Sequence, residues 1–187
     1  MDRWSKSLWA IVLTVAVTLG SLGFGSLPAN AGLTDDHYDG NIFALYAGNG
    51  SLVPPRVTLA DALKRGRPTL LFFYTEDSSD CKQYAPVVSQ IQQFYGRVAD
   101  LIPINVDAVP FRSSYPTTEP GFYYKGLVPQ TILFNQQGKI VLDAQGQIPF
   151  EQVDDVLRQV FDLLPRSESV ELRRRIVNEI NTELVPE

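Results

Sequence analysis

The sequence predicts an α/β domain in which a central mixed β-sheet is flanked by helices. From Val57 onward, apolar patterns of helix length and of strand length alternate along the chain. Thr69–Tyr74 is an almost continuous apolar run, which is typical of a strand covered on both faces. Two later apolar runs flank a short turn-forming connection, which predicts an antiparallel hairpin. Helices layered on such a sheet bury all of these apolar surfaces together.

Three amphipathic helices are predicted around the strands. Thr58 and Asp61 form a capping-box-like start for a short helix that ends near Gly66. A second helix runs from Cys81 to about Tyr95, and a third covers Phe150–Leu164. In each of the two longer helices the apolar residues recur at helical spacing, which indicates one face packed against the sheet.

The remaining strands are predicted from shorter apolar runs. Leu101–Val106 is expected to be a strand interrupted at Pro103. Thr131–Phe134 and Lys139–Leu142 are the hairpin strands, and Asn135–Gly138 is the connection between them.

Composition excludes several classes of function. The 187 residues are enough for one domain and a targeting segment. The formal net charge of −5 argues against nucleic-acid binding, because binding to phosphates requires a basic surface. The chain has one cysteine, Cys81, and one histidine, His37, so an internal disulfide and cysteine-rich or multi-histidine metal sites are excluded. We therefore expect neither a metal nor a cofactor.

Residues 1–31 have the pattern of a targeting segment. Arg3 and Lys6 precede an uncharged, largely apolar stretch. The pattern indicates either a signal peptide cleaved after Ala31 or an uncleaved anchor that crosses the membrane with residues 8–27. In both cases the basic end stays in the cytoplasm, so the rest of the chain is expected on the extracytoplasmic side.

Two further segments flank the predicted domain of residues 57–164. Residues 32–56 are polar and rich in turn-forming residues, which favours a solvated linker or N-terminal extension with a short strand at Ile42–Tyr46. Residues 165–187 form a C-terminal extension in which Glu171–Leu184 is predicted as an additional helix, supported by pairs of opposite charge at i,i+4 spacing. Its apolar face is expected to pack on the domain.

Residues 57–164 resemble the thioredoxin superfamily in four features that occur in the family's order. The apolar strand leads into Ser78-Ser-Asp-Cys81-Lys82, where thioredoxins carry W-C-x-x-C-K. Pro86 follows at the place of the family's helix-kinking proline, Gly126-Leu-Val-Pro129 resembles the cis-proline loop, and Gly146 follows the hairpin. The resemblance implies the three-layer thioredoxin fold, here with an N-terminal apolar helix and an extra C-terminal helix.

The motif departs from the family where the chemistry takes place. Ser78 stands in the position of the attacking cysteine, and Phe72 stands where thioredoxins carry a buried carboxylate. Disulfide exchange requires a thiolate to attack sulfur and a second thiol to resolve the mixed disulfide, and a serine hydroxyl cannot make that attack. Cys81, in the resolving position, has Asp77 and Asp80 nearby, which disfavour its thiolate. We predict that the chain is not a dithiol oxidoreductase and has no catalytic residues.

Two features favour protein binding instead. The long loop between Asp107 and Pro129 carries aromatic residues and prolines, which either form a docking surface or cover the sheet edge. In the family, the backbone beside the cis-proline pairs with an extended peptide, so the resemblance implies a retained peptide-binding groove at Pro129. The candidate partner-binding aromatics are Phe111, Tyr115, Phe122, Tyr123 and Tyr124.

Together, the export signal, the degenerate motif and the aromatic loop resemble cyanobacterial thioredoxin-like thylakoid proteins implicated in photosystem I accumulation. This resemblance implies an assembly factor at the lumenal face of the thylakoid membrane, with photosystem I subunits or assembly intermediates as partners; otherwise the periplasmic side is expected. Two alternatives stay open: a single-cysteine thiol–disulfide oxidoreductase that acts through Cys81 with a partner thiol, and a structural lumenal subunit.

Overall fold

The computed structural model describes Thr14 and residues 32–169 of the chain. With the exception of Thr14, the predicted signal peptide or anchor lies outside these described residues, as does the predicted helix Glu171–Leu184. The chain divides into one unit of residues 1–31 and a second of residues 32–187. None of the helices in the described part combines the length and hydropathy that crossing a bilayer requires.

The second unit is built on a four-stranded mixed sheet with the strand order β2-β1-β3-β4. Strand β1 pairs in parallel with β2 and antiparallel with β3, and β3 pairs antiparallel with β4. The predicted fold class, the strand at 69–74 and the hairpin are therefore confirmed. The strands are Thr69–Tyr74 (β1), Asp100–Asn105 (β2), Gln130–Phe134 (β3) and Ile140–Gln145 (β4).

Helices cover both faces of this sheet. On one face, Phe72 and Tyr74 pack with α1, α3 and α4, while on the other face Leu71 and Phe73 pack with α2. The alternation follows from the strand period of two residues. The helices are Ile42–Ala47 (α1), Leu59–Arg65 (α2), Ser79–Tyr95 (α3) and Phe150–Val160 (α4), with 3₁₀ turns at Gly50–Leu52, Val106–Ala108, Pro120–Phe122 and Arg166–Glu168.

Local capping explains the bounds of α2, whose predicted start and end are confirmed. The Thr58 hydroxyl accepts a hydrogen bond from the Asp61 N–H at 3.1 Å and donates one to the Asp61 carboxylate at 2.8 Å. At the other end Gly66 has φ 63°, a left-handed conformation that glycine adopts without steric cost.

Pro103 is accommodated because β2 lies at the edge of the sheet. The Asp100 N–H donates to the Pro68 carbonyl at 2.9 Å, so alternate residues of β2 face β1 while Pro103 faces the open edge. At that position a proline removes no ladder hydrogen bond. The predicted strand is confirmed, but the predicted interruption at Pro103 is wrong, because the strand runs through it without a break.

The prediction of a strand at Ile42–Tyr46 is wrong, because this segment forms helix α1. The Asn41 side chain accepts hydrogen bonds from the N–H groups of Phe43 and Ala44, and Gly48 ends the helix with φ 59°. Ile42 and Phe43 have no exposed surface. This part of the chain is therefore core structure and not a solvated linker.

The helix predicted at Phe150–Leu164 is also shorter than expected. Helix α4 ends at Val160 and not at Leu164. Asp162 follows with φ 52°, which cannot continue a right-handed helix. Leu163 and Leu164 are consequently exposed.

We predict that Phe43→Ala lowers the free energy of unfolding by about 3–5 kcal/mol. The Phe43 ring packs edge-on against Phe72 and Tyr74 at centroid distances of 5.8 and 5.1 Å, so its removal leaves a cavity between α1 and the sheet. Urea unfolding measures the loss. The matched control is Leu45→Ala on the exposed side of the same helix, which changes stability by less than about 0.5 kcal/mol; equal effects would contradict the placement of α1.

Candidate functional site

The degenerate redox motif lies at the amino end of α3, directly after the loop that follows β1. Ser78 is the N-cap residue of α3, and its hydroxyl accepts a hydrogen bond from the Cys81 N–H at 3.3 Å. Oxygen therefore caps the helix at the position where the resemblance places an attacking sulfur. Cys81 is fully buried.

The surroundings of Cys81 raise the pKa of its thiol. Burial is the largest cause of a raised pKa, and the carboxylates of Asp80 and Asp77 raise it further. Hydrogen bonds involving Ser78 and the Thr75 backbone act in the opposite direction but do not offset the rise. Both aspartates therefore act in the predicted direction, but burial contributes more to the raised pKa.

The surroundings of Phe72 are apolar. Phe72 is fully buried, and its ring lies 5.3 Å from the Tyr84 ring and 5.9 Å from the Tyr74 ring, measured between centroids. Burial raises the pKa of both tyrosines to about 12. Neither phenol therefore releases its proton readily near neutral pH, and Phe72 has no ionisable group.

The loop that carries Pro129 is anchored by several hydrogen bonds. The Val128–Pro129 peptide bond is cis, as is a second bond, Val53–Pro54. Pro129 is buried, and its carbonyl accepts a hydrogen bond from the Gly146 N–H at 2.7 Å. The side chain of Gln130 accepts from the Lys125 N–H and donates to the Tyr123 carbonyl and the Asp143 carboxylate. These contacts fix the loop next to the start of β3.

Lys82 is a buried charge that the sequence analysis did not single out. Its ammonium group has no exposed surface and donates to the carbonyl oxygens of Gly32 and Asp35 at 3.0 and 3.1 Å. It also pairs with the carboxylates of Asp35 at 3.1 Å and Asp39 at 2.5 Å, and lies 5.7 Å from the Tyr46 ring centroid. Burial alone lowers the pKa of Lys82, but the hydrogen bonds with Asp39 and Asp35 outweigh it and the pKa is raised.

The acidic segment before α1 is bound to the domain and is not free in solvent. The Asp36 carboxylate accepts a hydrogen bond from the Ser79 N–H at 2.8 Å, which lowers the pKa of Asp36. The pKa of Asp39 is lowered by Lys82 first and by the Tyr46 hydroxyl second. Within residues 32–169, no group of acidic, histidine and cysteine side chains is arranged to hold a metal ion.

The aromatic residues of the long loop divide between packing and exposure. The Tyr123 ring packs edge-on against Phe134 at 5.0 Å, and the Tyr124 ring lies 5.4 Å from Phe73. Tyr115 covers Gly121 so closely that a Cβ there would lie 2.6 Å from the ring. By contrast, Phe111 is fully exposed and Phe122 is half exposed. Tyr123 and Tyr124 therefore cover part of the sheet, as one alternative predicted, while a docking role for the exposed Phe111 and Phe122 stays a prediction.

An apolar cleft, which the sequence analysis missed, opens beside this loop. It has a volume of about 360 Å³ and separates the Val53–Pro55 segment from the loop that follows β2. Prolines and tyrosines dominate its walls, including Tyr74 at the carboxyl end of β1 and Tyr115. Phe111 follows Pro110 of the cleft wall directly.

Comparisons with known proteins agree with this geometry. A family model described as a thioredoxin-like domain matches residues 55–161. The thylakoid membrane protein slr1796 of Synechocystis sp. is 53% identical over 184 residues, which cover 94% of this chain and 92% of that protein. A thiol:disulfide interchange protein TxlA homolog of the same organism is 26% identical over 98 residues, 52% of each chain.

Solved structures are matched more distantly. One, from work on thiol resolution in a yeast mitochondrial 1-Cys peroxiredoxin, has a TM-score of 0.39 and 16% identity, and the match covers 56% of this chain and 86% of the other. A malarial protein has a TM-score of 0.40 and 14% identity, with 50% of this chain and 96% of the other covered.

The ion pair between Asp39 and Lys82 predicts a defined pH dependence. Because the pKa of Asp39 is lowered from 3.8, its contribution to stability is complete above that value and is lost as the pH falls through the lower pKa of the folded state. In urea titrations, the stability difference between wild type and Asp39→Asn should stay constant from neutral pH to about 5, and shrink below 3.8.

The control for this prediction removes the partner. Lys82→Met is introduced into both wild type and Asp39→Asn. The difference in unfolding free energy between these two variants should then lose most of its pH dependence, because Lys82 is the main cause of the lowered pKa of Asp39. An unchanged pH profile in the Lys82→Met background would contradict the assignment.

Proposed function

Since the chain belongs to the thioredoxin-like domain family, we propose that it is a non-catalytic binding protein that assists the accumulation of a photosynthetic membrane complex, photosystem I by resemblance. The observation that carries this proposal is the pair of residues in the motif. Ser78 places a helix-capping hydroxyl where the attacking sulfur would stand, and Cys81 is buried behind it. The thioredoxin scaffold is retained without the pair of thiols that dithiol exchange requires.

The alternative, exchange through Cys81 alone, is supported by one comparison and opposed by the geometry. The relative named as a thiol:disulfide interchange protein matches about half of this chain. However, a single-cysteine mechanism needs an accessible thiolate, whereas Cys81 is buried and its pKa is raised by burial and by Asp80 and Asp77. The binding function is therefore the better supported of the two.

The exposed part of the aromatic loop is the proposed partner-binding surface. Phe111 and Phe122 are exposed, and the loop between them is braced by an ion pair of Arg112 with Glu119 at 2.9 Å. The Tyr115 hydroxyl donates to the Pro110 carbonyl, and the Tyr123 hydroxyl donates to the Thr117 carbonyl. A preorganised loop presents aromatic side chains with less entropy lost on binding, and such side chains often dominate interface energies.

The proposed location is the thylakoid membrane, on its lumenal side. The relative with 53% identity is named as a thylakoid membrane protein, and residues 8–27 of this chain are largely apolar and uncharged. The basic residues before them favour export of the remainder. Photosystem I subunits or assembly intermediates are the proposed partners.

Affinity purification of the full chain from thylakoid membranes tests the proposal. Photosystem I subunits, identified by mass spectrometry, should co-purify with wild type, and Phe111→Ala should lower their recovery by roughly tenfold or more, as expected for an interface hot spot. Leu45→Ala, an exposed apolar residue on α1, is the matched control and should leave recovery unchanged. If wild type recovers no photosystem I subunits, the proposed partner is wrong. If Phe111→Ala recovers as much of them as wild type, the proposed surface is wrong.

A further inference from the structure

Tyr74 is a buried tyrosine whose hydroxyl group has no hydrogen-bond partner among the residues that the structure describes. The other tyrosines of comparable burial are hydrogen-bonded, Tyr84 to Thr131 and Tyr95 to Asp154. Tyr74 is 2% exposed. Because no fully buried side-chain oxygen of the described residues lacks a partner, that small exposed surface includes the hydroxyl. Tyr74 lines the apolar cleft beside the aromatic loop, so its hydroxyl is a polar group that the cleft presents.

The polar groups of the cleft are hydrogen-bond donors. Burial raises the pKa of Tyr74 to about 12, so its hydroxyl stays protonated near neutral pH. The side-chain oxygen of Asn105 accepts from the Asp107 N–H at 3.0 Å, which leaves the amide NH₂ group to donate. Glu119, the one charged residue among the described lining residues, is paired with Arg112 at 2.9 Å. The cleft therefore fits an uncharged ligand that carries hydrogen-bond acceptors.

The walls of the cleft are apolar and braced. Five of the lining residues are prolines. The Tyr115 hydroxyl donates to the Pro110 carbonyl, and the Tyr115 ring covers Gly121, so three lining residues hold one another in place. The volume of about 360 Å³ is at the lower end of the roughly 300–1,000 Å³ of ligand sites. It has room for a short piece of an extended chain.

The edge of the sheet beside the cleft is unsuited to the addition of a strand. Pro103 lines the cleft and faces the open edge of β2, where it has no N–H to donate. A chain that paired there as a strand would lack a main-chain hydrogen bond. A polyproline II segment forms no internal hydrogen bonds, so its carbonyl groups are free to accept from side chains, and aromatic-lined grooves bind such segments.

We propose that the cleft binds a short proline-containing segment of a partner protein in the polyproline II conformation, with Tyr74 and Asn105 donating hydrogen bonds to its carbonyl groups. The inference rests on the proposed binding function and adds to it the chemistry of the bound segment. Pro110 of the cleft wall directly precedes Phe111 of the proposed partner-binding surface, so one partner can contact both. The described lining residues do not include Pro129, so this site is distinct from the groove that the family resemblance implies.

Fluorescence anisotropy of a labelled decaproline peptide, titrated with the purified full chain, tests the proposal. Decaproline should bind with a Kd below about 1 mM, and a labelled Gly–Ser peptide of equal length should bind roughly tenfold or more weakly, because it is flexible. Tyr74→Phe keeps the ring that packs against Phe43 and should weaken decaproline binding by roughly three- to tenfold, as expected for the loss of one hydrogen bond. Tyr84→Phe removes the hydroxyl of a buried tyrosine that does not line the cleft and, as the matched control, should leave the Kd unchanged.

Equal binding of the two peptides, or equal binding of decaproline by wild type and Tyr74→Phe, would overturn the proposal. Self-association of the chain that blocks decaproline binding, detected by analytical ultracentrifugation, would also overturn it, because a second copy would then occupy the cleft. The assay contains no photosystem I. Decaproline binding without co-purification of photosystem I subunits would support the site and contradict the proposed partner, and the reverse result would contradict only the site.

Discussion

The amino end of α3 is capped by oxygen atoms, and this constraint sets the character of the whole site. The Ser78 hydroxyl accepts from the Cys81 N–H, and the Asp36 carboxylate accepts from the Ser79 N–H. The partial positive charge of a helix N-terminus would favour a thiolate placed there. Here the same field favours the Asp36 carboxylate, which binds the segment before α1 to the amino end of α3.

Sequence patterns predicted the elements whose determinants are local. Thr69–Tyr74 is buried on both faces and carries an apolar side chain at almost every position, and Thr58 and Gly66 bound α2 through contacts within the element. Helix α1 was missed because its short apolar run also fits a strand. Asn41 before it and Gly48 after it were the available helix signals.

The candidate site was only partly predictable because its main contacts join distant parts of the chain. The motif positions Ser78 and Cys81 are visible in the sequence, whereas Lys82 meets Gly32 across 50 positions and Asp39 across 43. The cleft is formed by two loops that are also distant in sequence. Periodicity reports which face of an element is apolar, but it does not report which loop or which charge reaches that face.

A turnover assay shows whether this thioredoxin-like chain exchanges disulfides. The purified full chain, supplied with a chemical dithiol reductant and an insulin disulfide substrate, should give no catalysis above the uncatalysed rate. Ser78→Cys should raise the rate, because it restores the attacking sulfur, while Ser79→Cys, one position away, should not. Multiple turnovers by the wild-type chain, lost in Cys81→Ser, would contradict the account.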